Sequence, residues 1–243
     1  MSQTFIISDL HLSGQRPGTI ELFFRFLEEQ PTPGDQLYIL GDLFDAWIGD
    51  DDATPPIPQI KEKMLTTSQR GIEIAFIHGN RDFLVGETFA QETGSTLLNE
   101  VTVTDINSTP TLLMHGDLLC TDDVEYMKAR AFLRNPAFIA DIMTKSIPER
   151  LAMAAEFRKR SGEANSLKAA DIMDVNQQTV EQTMRDHNTL LLIHGHTHRP
   201  NTHHFELDGQ PAKRIVLAEW HEELGNYLKI TNGEIQVHDF PAS

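Results

Sequence analysis

Five short apolar runs punctuate the chain: Phe5-Ile6-Ile7, Leu37-Tyr38-Ile39-Leu40, Ile74-Ala75-Phe76-Ile77, Leu112-Leu113-Met114 and Leu190-Leu191-Leu192-Ile193. Uninterrupted runs of this length predict buried strands. Between the first three, the period changes to that of a helix. Ile20, Phe23, Phe24 and Leu27 recur at helix spacing until Pro31 ends the pattern. Further helices are predicted near 59–69, before Gly71, and near 84–92, closed by Gly94. Strands at 101–105 and 111–115 flank a Ser108-Thr109-Pro110 turn. From 123 to about 187 the strand signals stop and the pattern is helical. After His198, short strands return around Leu207-Asp208-Gly209 and Asn232-Gly233 turns. The pattern describes an α/β chain whose strand series is interrupted once by helices.

Each of the five runs leads into a polar string: Ser8-Asp9-Leu10-His11, Gly41-Asp42, Gly79-Asn80-Arg81-Asp82, His115-Gly116-Asp117 and Gly195-His196-Thr197-His198. A buried strand ends where its backbone turns toward solvent, so the strings are expected along the carboxyl edge of a sheet, where α/β proteins bind ligands. Asp9 and His11, two apart, leave an extended segment on one side and can grip one cation. Asp42 stands alone with two oxygens and can bridge two. Asn80 offers a neutral amide oxygen, and His115, His196 and His198 offer imidazoles. With no thiolate in the set, a structural cysteine zinc is excluded, and the N/O mixture suits Mn, Fe or Zn. Two ions about 3.5–4 Å apart clamp an attacking and a phosphoryl oxygen in hydrolytic phosphatases and nucleases.

The strings D-x-H, GD, GN, H and GHxH, in this order, resemble the calcineurin-like metallophosphoesterases. Longer strings narrow the resemblance: Tyr38 to Phe44, Ala46 to Asp52, Ile77 to Leu84, Met114 to Asp117, Leu119 to Asp123 and Ile193 to Pro200 are similar to the UDP-2,3-diacylglucosamine hydrolase family of bacterial lipid A biosynthesis. The resemblance implies an αββα sandwich forming one domain over 1–243, with 123–187 as a helical lid insertion. It implies two divalent ions, Mn above all, held by Asp9, His11, Asp42, Asn80, His115, His196 and His198. Catalysis falls to Asp42, Asn80, Arg81 and His115. Contacts to UDP-2,3-diacylglucosamine fall to Asn80, Arg81, Asp123, Arg158, Ser161, Asn165, Lys168 and His196. The implied reaction is attack of water on the α-phosphorus, giving UMP and 2,3-diacylglucosamine 1-phosphate (lipid X). The implied location is peripheral, on the cytoplasmic side of the inner membrane.

Arg81 is informative apart from the family. Many phosphoesterases carry His after the Asn, where it can protonate a leaving alkoxide. Arginine stays protonated and cannot act as that acid, but its fork suits phosphate oxygens. A leaving group that is itself a phosphate needs no proton, so Arg81 favours a pyrophosphate over an alkyl or nucleic-acid diester.

Charge and composition narrow the alternatives. A net charge of −16 in 243 residues counts against nucleic acid as a partner, which calls for a basic patch. A general phosphodiesterase or nuclease would share the metal strings but not the acidic balance or Arg81. A non-catalytic scaffold would be expected to have lost ligands. No apolar run approaches the roughly 20 residues that span a bilayer, and the chain enters a strand at once, with no export signal. The single cysteine, Cys120, excludes an internal disulfide and reads as a small packed thiol. Asp50-Asp51-Asp52 reads as a solvated run, and His78 and His194 as packed or supporting residues. The helical insertion, with Phe132, Phe138, Ile139 and Ile142, is expected to supply an apolar groove for the acyl chains.

Overall fold

The computed structural model describes residues 2–165 and 174–242, and the side chains of residues 160–165 lie outside that description. The apolar runs are strands because their alternate residues fill two different cores. In β1 (Thr4–Ile7), Phe5 and Ile7 face a core shared with α1 (Pro17–Glu29), while Ile6 faces the opposite way. In β2 (Gln36–Ile39), Leu37 and Ile39 take the first side and Tyr38 the second. The same helical side receives α2 (Ile57–Gln69), which precedes β3 (Glu73–Phe76), and α3 (Glu87–Thr93), which precedes the short β4 (Ser95–Leu97).

A second sheet begins with the hairpin of β5 (Val101–Ile106) and β6 (Thr109–Met114). Helices α4 (Val124–Leu133), α5 (Pro136–Met143), α6 (Ile147–Asn165) and α7 (Gln177–Asp186) follow before β7 (Leu191–His194). The chain ends in two hairpins, β8 (Asn201–Leu207) with β9 (Gln210–Val216), and β10 (Leu224–Thr231) with β11 (Glu234–Pro241). The six-stranded sheet has the order β11-β10-β1-β2-β3-β4 and the five-stranded sheet β5-β6-β7-β9-β8. The sheets share the apolar layer of Ile6, Tyr38, Leu113, Ile193 and Ile215, and α7 covers the outer face of the second with Val180 and Met184. The result is the αββα sandwich that the family resemblance implies. β1, β2 and β3 run parallel, as do β6 and β7, so five carboxyl ends open toward one edge.

Several predicted boundaries shift, each for a local reason. The third helix starts at Glu87, not at 84, because Asp50 caps it from outside, accepting from the Gly86 and Phe89 N–H groups at 3.0 and 2.9 Å. The turn before β6 is Asn107-Ser108, both left-handed, and Thr109 and Pro110 already belong to the strand. Proline is tolerated there because pairing with β7 begins only at Thr111. The short β4 has no apolar run to announce it.

In the Asp50-Asp51-Asp52 run, Asp52 is buried and Asp50 half-buried, which corrects the solvated reading there, whereas Asp51 stays exposed. Asp50 also accepts from Trp47 Nε1, Asp51 makes a two-pronged pair with Arg150 at 2.5 and 2.7 Å, and buried Asp52 accepts from the Thr54 N–H. The helical stretch divides as well. α7 belongs to the outer layer of the sandwich, which leaves α4, α5 and α6 over the catalytic edge.

Candidate metal centre

The strings after the five strands converge, but not through extended backbone. Asp9, His11, Asp42, His196 and His198 all have left-handed φ, between 50° and 67°. The expectation that Asp9 and His11 share a side because the segment is extended is therefore corrected: two left-handed residues coil it. A non-glycine residue pays about 1–2 kcal/mol for that conformation, and tertiary contacts must hold it. The loops after β1 and β2 supply them. Asp9 N–H donates to the Gly41 carbonyl at 3.1 Å, His11 N–H to Asp42 at 3.0 Å and Leu12 N–H to Leu43 at 2.8 Å.

The side chains form two groups joined by one carboxylate. His198 Nε2 lies 3.2 Å from Asp9 Oδ1 and 3.4 Å from His11 Nε2. Asn80 Oδ1 lies 2.9 Å from His115 Nε2 and 2.8 Å from His196 Nδ1. Asp42 stands between them, Oδ1 at 3.7 Å from His115 Nε2 and Oδ2 at 3.9 Å from His11 Nδ1. Ligand atoms of Asp9, His11 and His198 lie within 4.8 Å of one another, and so do those of Asp9, Asp42 and His115. The structure thus brings together all seven predicted ligands.

Protonation chemistry tests whether this set fits divalent ions. Burial pushes the Asp42 carboxyl up to about 7, with Asp82 and Asp9 adding repulsion against the attraction of His115. Burial takes His11 down to about 4, and His196 also to about 4 with help from His115. Both rings are therefore neutral lone-pair donors at neutral pH. His115 Nδ1 is 2.8 Å from the Leu40 carbonyl, which can only accept, so Nε2 is the nitrogen turned to the centre. Its pKa is raised because Asp42 and Asp9 outweigh burial. For His198, burial is outweighed by hydrogen bonds to Asp9 and Glu219, which raise it to about 10. Buried His11 Nδ1 has no hydrogen-bond partner among the described residues. Crowded carboxylates, neutral imidazoles and an unpartnered ring nitrogen are what two divalent ions would satisfy. The donor set fits them.

Two features outside the ligand set make the approach of the loops workable. Asp82, fully buried, accepts from Gly79 N–H at 2.8 Å, Leu43 N–H at 2.7 Å and Asp42 N–H at 3.2 Å, and so ties the second string to the third. Burial raises its pKa, against the lowering by the Gly79 donor and the His115 ring. The glycines mark close approaches: a Cβ at Gly79 would fall on the Asp42 carboxylate, and one at Gly195 on that of Asp9. The sequence displayed Asp82 inside its string but gave it no role. Glu219, 3.0 Å from His198 Nδ1, lies in no string. His194, read as packed or supporting, is fully buried and accepts from Arg214 at Nε2.

Beside the centre, α4 to α6 and the loops after β2 and β3 enclose a cavity of about 430 Å³. Asn80, Arg81 and Arg158 line it, together with apolar Trp47, Phe83, Leu133, Ile142 and Phe157. Arg158 pairs with Asp45 at 2.8 Å, and Arg81 lies 3.9 Å from the same carboxylate. His196 stays at the centre, its ring 5.7 Å from that of Tyr126. Asp123, predicted to touch substrate, is buried at the start of α4, accepts from Tyr126 N–H and does not line the cavity. Ser161 and Asn165 fall on α6 with side chains outside the description, and Lys168 lies outside the described residues. Of the four apolar residues expected to form the groove, only Ile142 lines it. Phe132 and Phe138 pack against each other at a tilt, with ring centroids 4.5 Å apart. The walls missed by the sequence are Leu133, Phe157 and the apolar residues of the core loops. Cys120 is buried and pushed up to about 12 by burial and nearby Asp117, a packed thiol as expected.

Asp82→Ala should release two strings at once. Losing a buried, multiply bonded carboxylate is expected to cost about 3 kcal/mol of stability and to lower divalent-metal content at both halves of the centre. Unchanged melting temperature and full metal content would contradict this role.

The comparisons with known proteins agree with this geometry. The family described as calcineurin-like phosphoesterase matches residues 3–200. A protein of Salmonella typhi named UDP-2,3-diacylglucosamine hydrolase is 46% identical over 98% of this chain and 99% of its own length. Proteins of the same name from Chromohalobacter salexigens and Marinobacter nauticus are 48% and 46% identical, covering 93% and 91% of this chain and 92% and 91% of their own. The chain belongs to the calcineurin-like phosphoesterase family and, within it, to the family of UDP-2,3-diacylglucosamine hydrolases.

Proposed function

We propose that this chain hydrolyses the pyrophosphate bond of UDP-2,3-diacylglucosamine, the compound in its relatives' name, to UMP and 2,3-diacylglucosamine 1-phosphate. One observation carries the reading: an apolar cavity opens directly beside the donor cluster, with arginines where the two meet. A nucleic-acid diester has no use for such a cavity, whereas two acyl chains do, since each buried methylene contributes about 0.8 kcal/mol. The complete ligand set counts against a non-catalytic scaffold.

In this reading Asp9, His11 and His198 would hold one ion and Asn80, His115 and His196 the other, with Asp42 available to both. Mn suits the oxygen and imidazole donors. When bound, the ions lower the pKa of water and neutralise phosphoryl oxygens. The protein's own groups do the positioning. Arg81 donates its backbone N–H to Asp42 Oδ1 at 2.8 Å and carries its guanidinium into the cavity mouth. There it faces the phosphoryl oxygens and stabilises charge that grows on them. Arg158 reaches the same mouth from α6. Arg81, which cannot give up a proton, follows Asn80 in the sequence, and a departing sugar phosphate needs none. Asp123 contributes by fixing the start of α4, and Ser161, Asn165 and Lys168 are proposed to complete the diphosphate contacts from the lid.

The lid is also proposed to face the lipid surface. Val124, Phe132, Met143 and Leu151 are exposed on α4 to α6, among basic residues that suit anionic headgroups. No described helix is long and apolar enough to cross a membrane. Peripheral contact with the cytoplasmic face of the inner membrane is the proposed location, and these exposed residues and the acyl chains of the substrate support it.

Hydrolysis in ¹⁸O-water is expected to place the label in UMP. Label in the lipid phosphate would mean attack at the other phosphorus and would refute the assignment. Ile142→Asn and Phe157→Asn are expected to raise KM at least tenfold for the diacyl substrate while leaving a short-chain analogue and the melting temperature nearly unchanged. Equal losses on both substrates would show that these residues only pack the lid.

A further inference from the structure

We propose that Glu219, which lies outside all the metal strings, is a positioning residue that holds His198 in its ligand orientation, with Arg16 holding Glu219 in turn. The inference rests on the two-ion reading of the centre but not on the identity of the substrate.

Among the rings at the centre, His198 has the weakest support from burial. Its side chain is 36% exposed, against 7% for His11 and 1% for His115. It also sits on left-handed backbone at the end of its string. His115 is locked by its bond to the Leu40 carbonyl. Glu219 does the same for His198: Oε2 lies 3.0 Å from Nδ1. An ionised carboxylate only accepts, so a proton stays on Nδ1, and Nε2, on the side of Asp9 and His11, is the nitrogen left for an ion. A carboxylate on the distal nitrogen of a metal-binding imidazole fixes both tautomer and ring angle and strengthens the ligand.

Glu219 is itself held from both sides. Ala218 N–H donates to Asn226 Oδ1 at 3.1 Å, and Trp220 N–H to the Asp9 carbonyl at 3.0 Å. The Trp220 side chain is fully buried. Arg16 donates to the Trp220 carbonyl at 2.5 Å and places Nη1 3.4 Å from Glu219 Oε1. The carboxylate is therefore a fixed post, with its second oxygen occupied by a guanidinium. Nothing in the D-x-H or GHxH grammar announces it.

The test is titration of the metal-stripped full chain with Mn²⁺ by calorimetry, for the wild type, Glu219→Gln and Glu219→Ala. The wild type is expected to take two ions. Glu219→Ala should weaken one binding event by roughly 10- to 100-fold and leave the other within a few-fold, with the metal-free melting temperature unchanged. Glu219→Gln, which keeps an acceptor oxygen but no charge, should fall between. Two events at wild-type strength in Glu219→Ala would overturn the role of Glu219 and leave the two-ion reading standing. Equal weakening of both events, with a lower metal-free melting temperature, would overturn it in favour of a general structural role. A wild type that binds no Mn²⁺ would overturn the metal reading itself, and this role with it.

Discussion

Asp9, Asp42 and Asp82 are each no more than 2% exposed and meet where the two sheets open. Removing a carboxylate from water costs several kcal/mol unless it is paired, and the three are compensated unequally. Asp82 takes backbone N–H groups from two strings. Asp9 takes His196 N–H at 2.9 Å and the His198 ring, and its pKa falls although burial alone would raise it. Asp42 has the Arg81 N–H and distant rings, and its pKa rises to about 7. The negative charge left uncompensated is what two cations would neutralise. The left-handed loops and the glycines under Asp9 and Asp42 are the means of crowding it there.

The helices over this edge are fastened by ion pairs rather than by a continuous core. Arg130 joins Asp117 and Glu100, each at 2.7 Å, and Arg134 reaches Glu100 and the Gly79 carbonyl. α6 is held through Arg150 to Asp51 and through Arg158 to Asp45. Polar anchors at the rim leave the inner faces of α4 to α6 free to line an apolar cavity, which a packed helix–sheet contact would have filled. The division explains how an acidic protein presents both a charged reaction centre and room for hydrocarbon.

The fold and the convergence of the seven candidate ligands were legible because each rests on a local rule. A buried strand is an apolar run, and a ligand is a polar residue just after it. Where the structure departs from the sequence reading, a partner distant in the chain intervenes. Asp50 displaces the start of α3 from 36 residues away, and Arg150 pairs with the exposed Asp51 from 99 residues away. Glu219 reaches His198 from another strand end, with no spacing to betray it. The groove was only partly legible, since helix periodicity shows that apolar residues share a face but not which cavity that face meets. Phe132 and Phe138 looked suited to the lipid, yet they pack against each other, and Phe157 from α6 lines the wall instead.

The central claim is that one buried carboxylate joins two metal positions at the carboxyl edge. Anomalous diffraction at the Mn absorption edge, from crystals grown with Mn²⁺, tests it most directly. Two peaks about 3.5–4 Å apart are predicted, with Asp42 contacting both, His11 and His198 on one side and Asn80, His115 and His196 on the other. A single peak, or a second peak away from Asp42, would contradict the account.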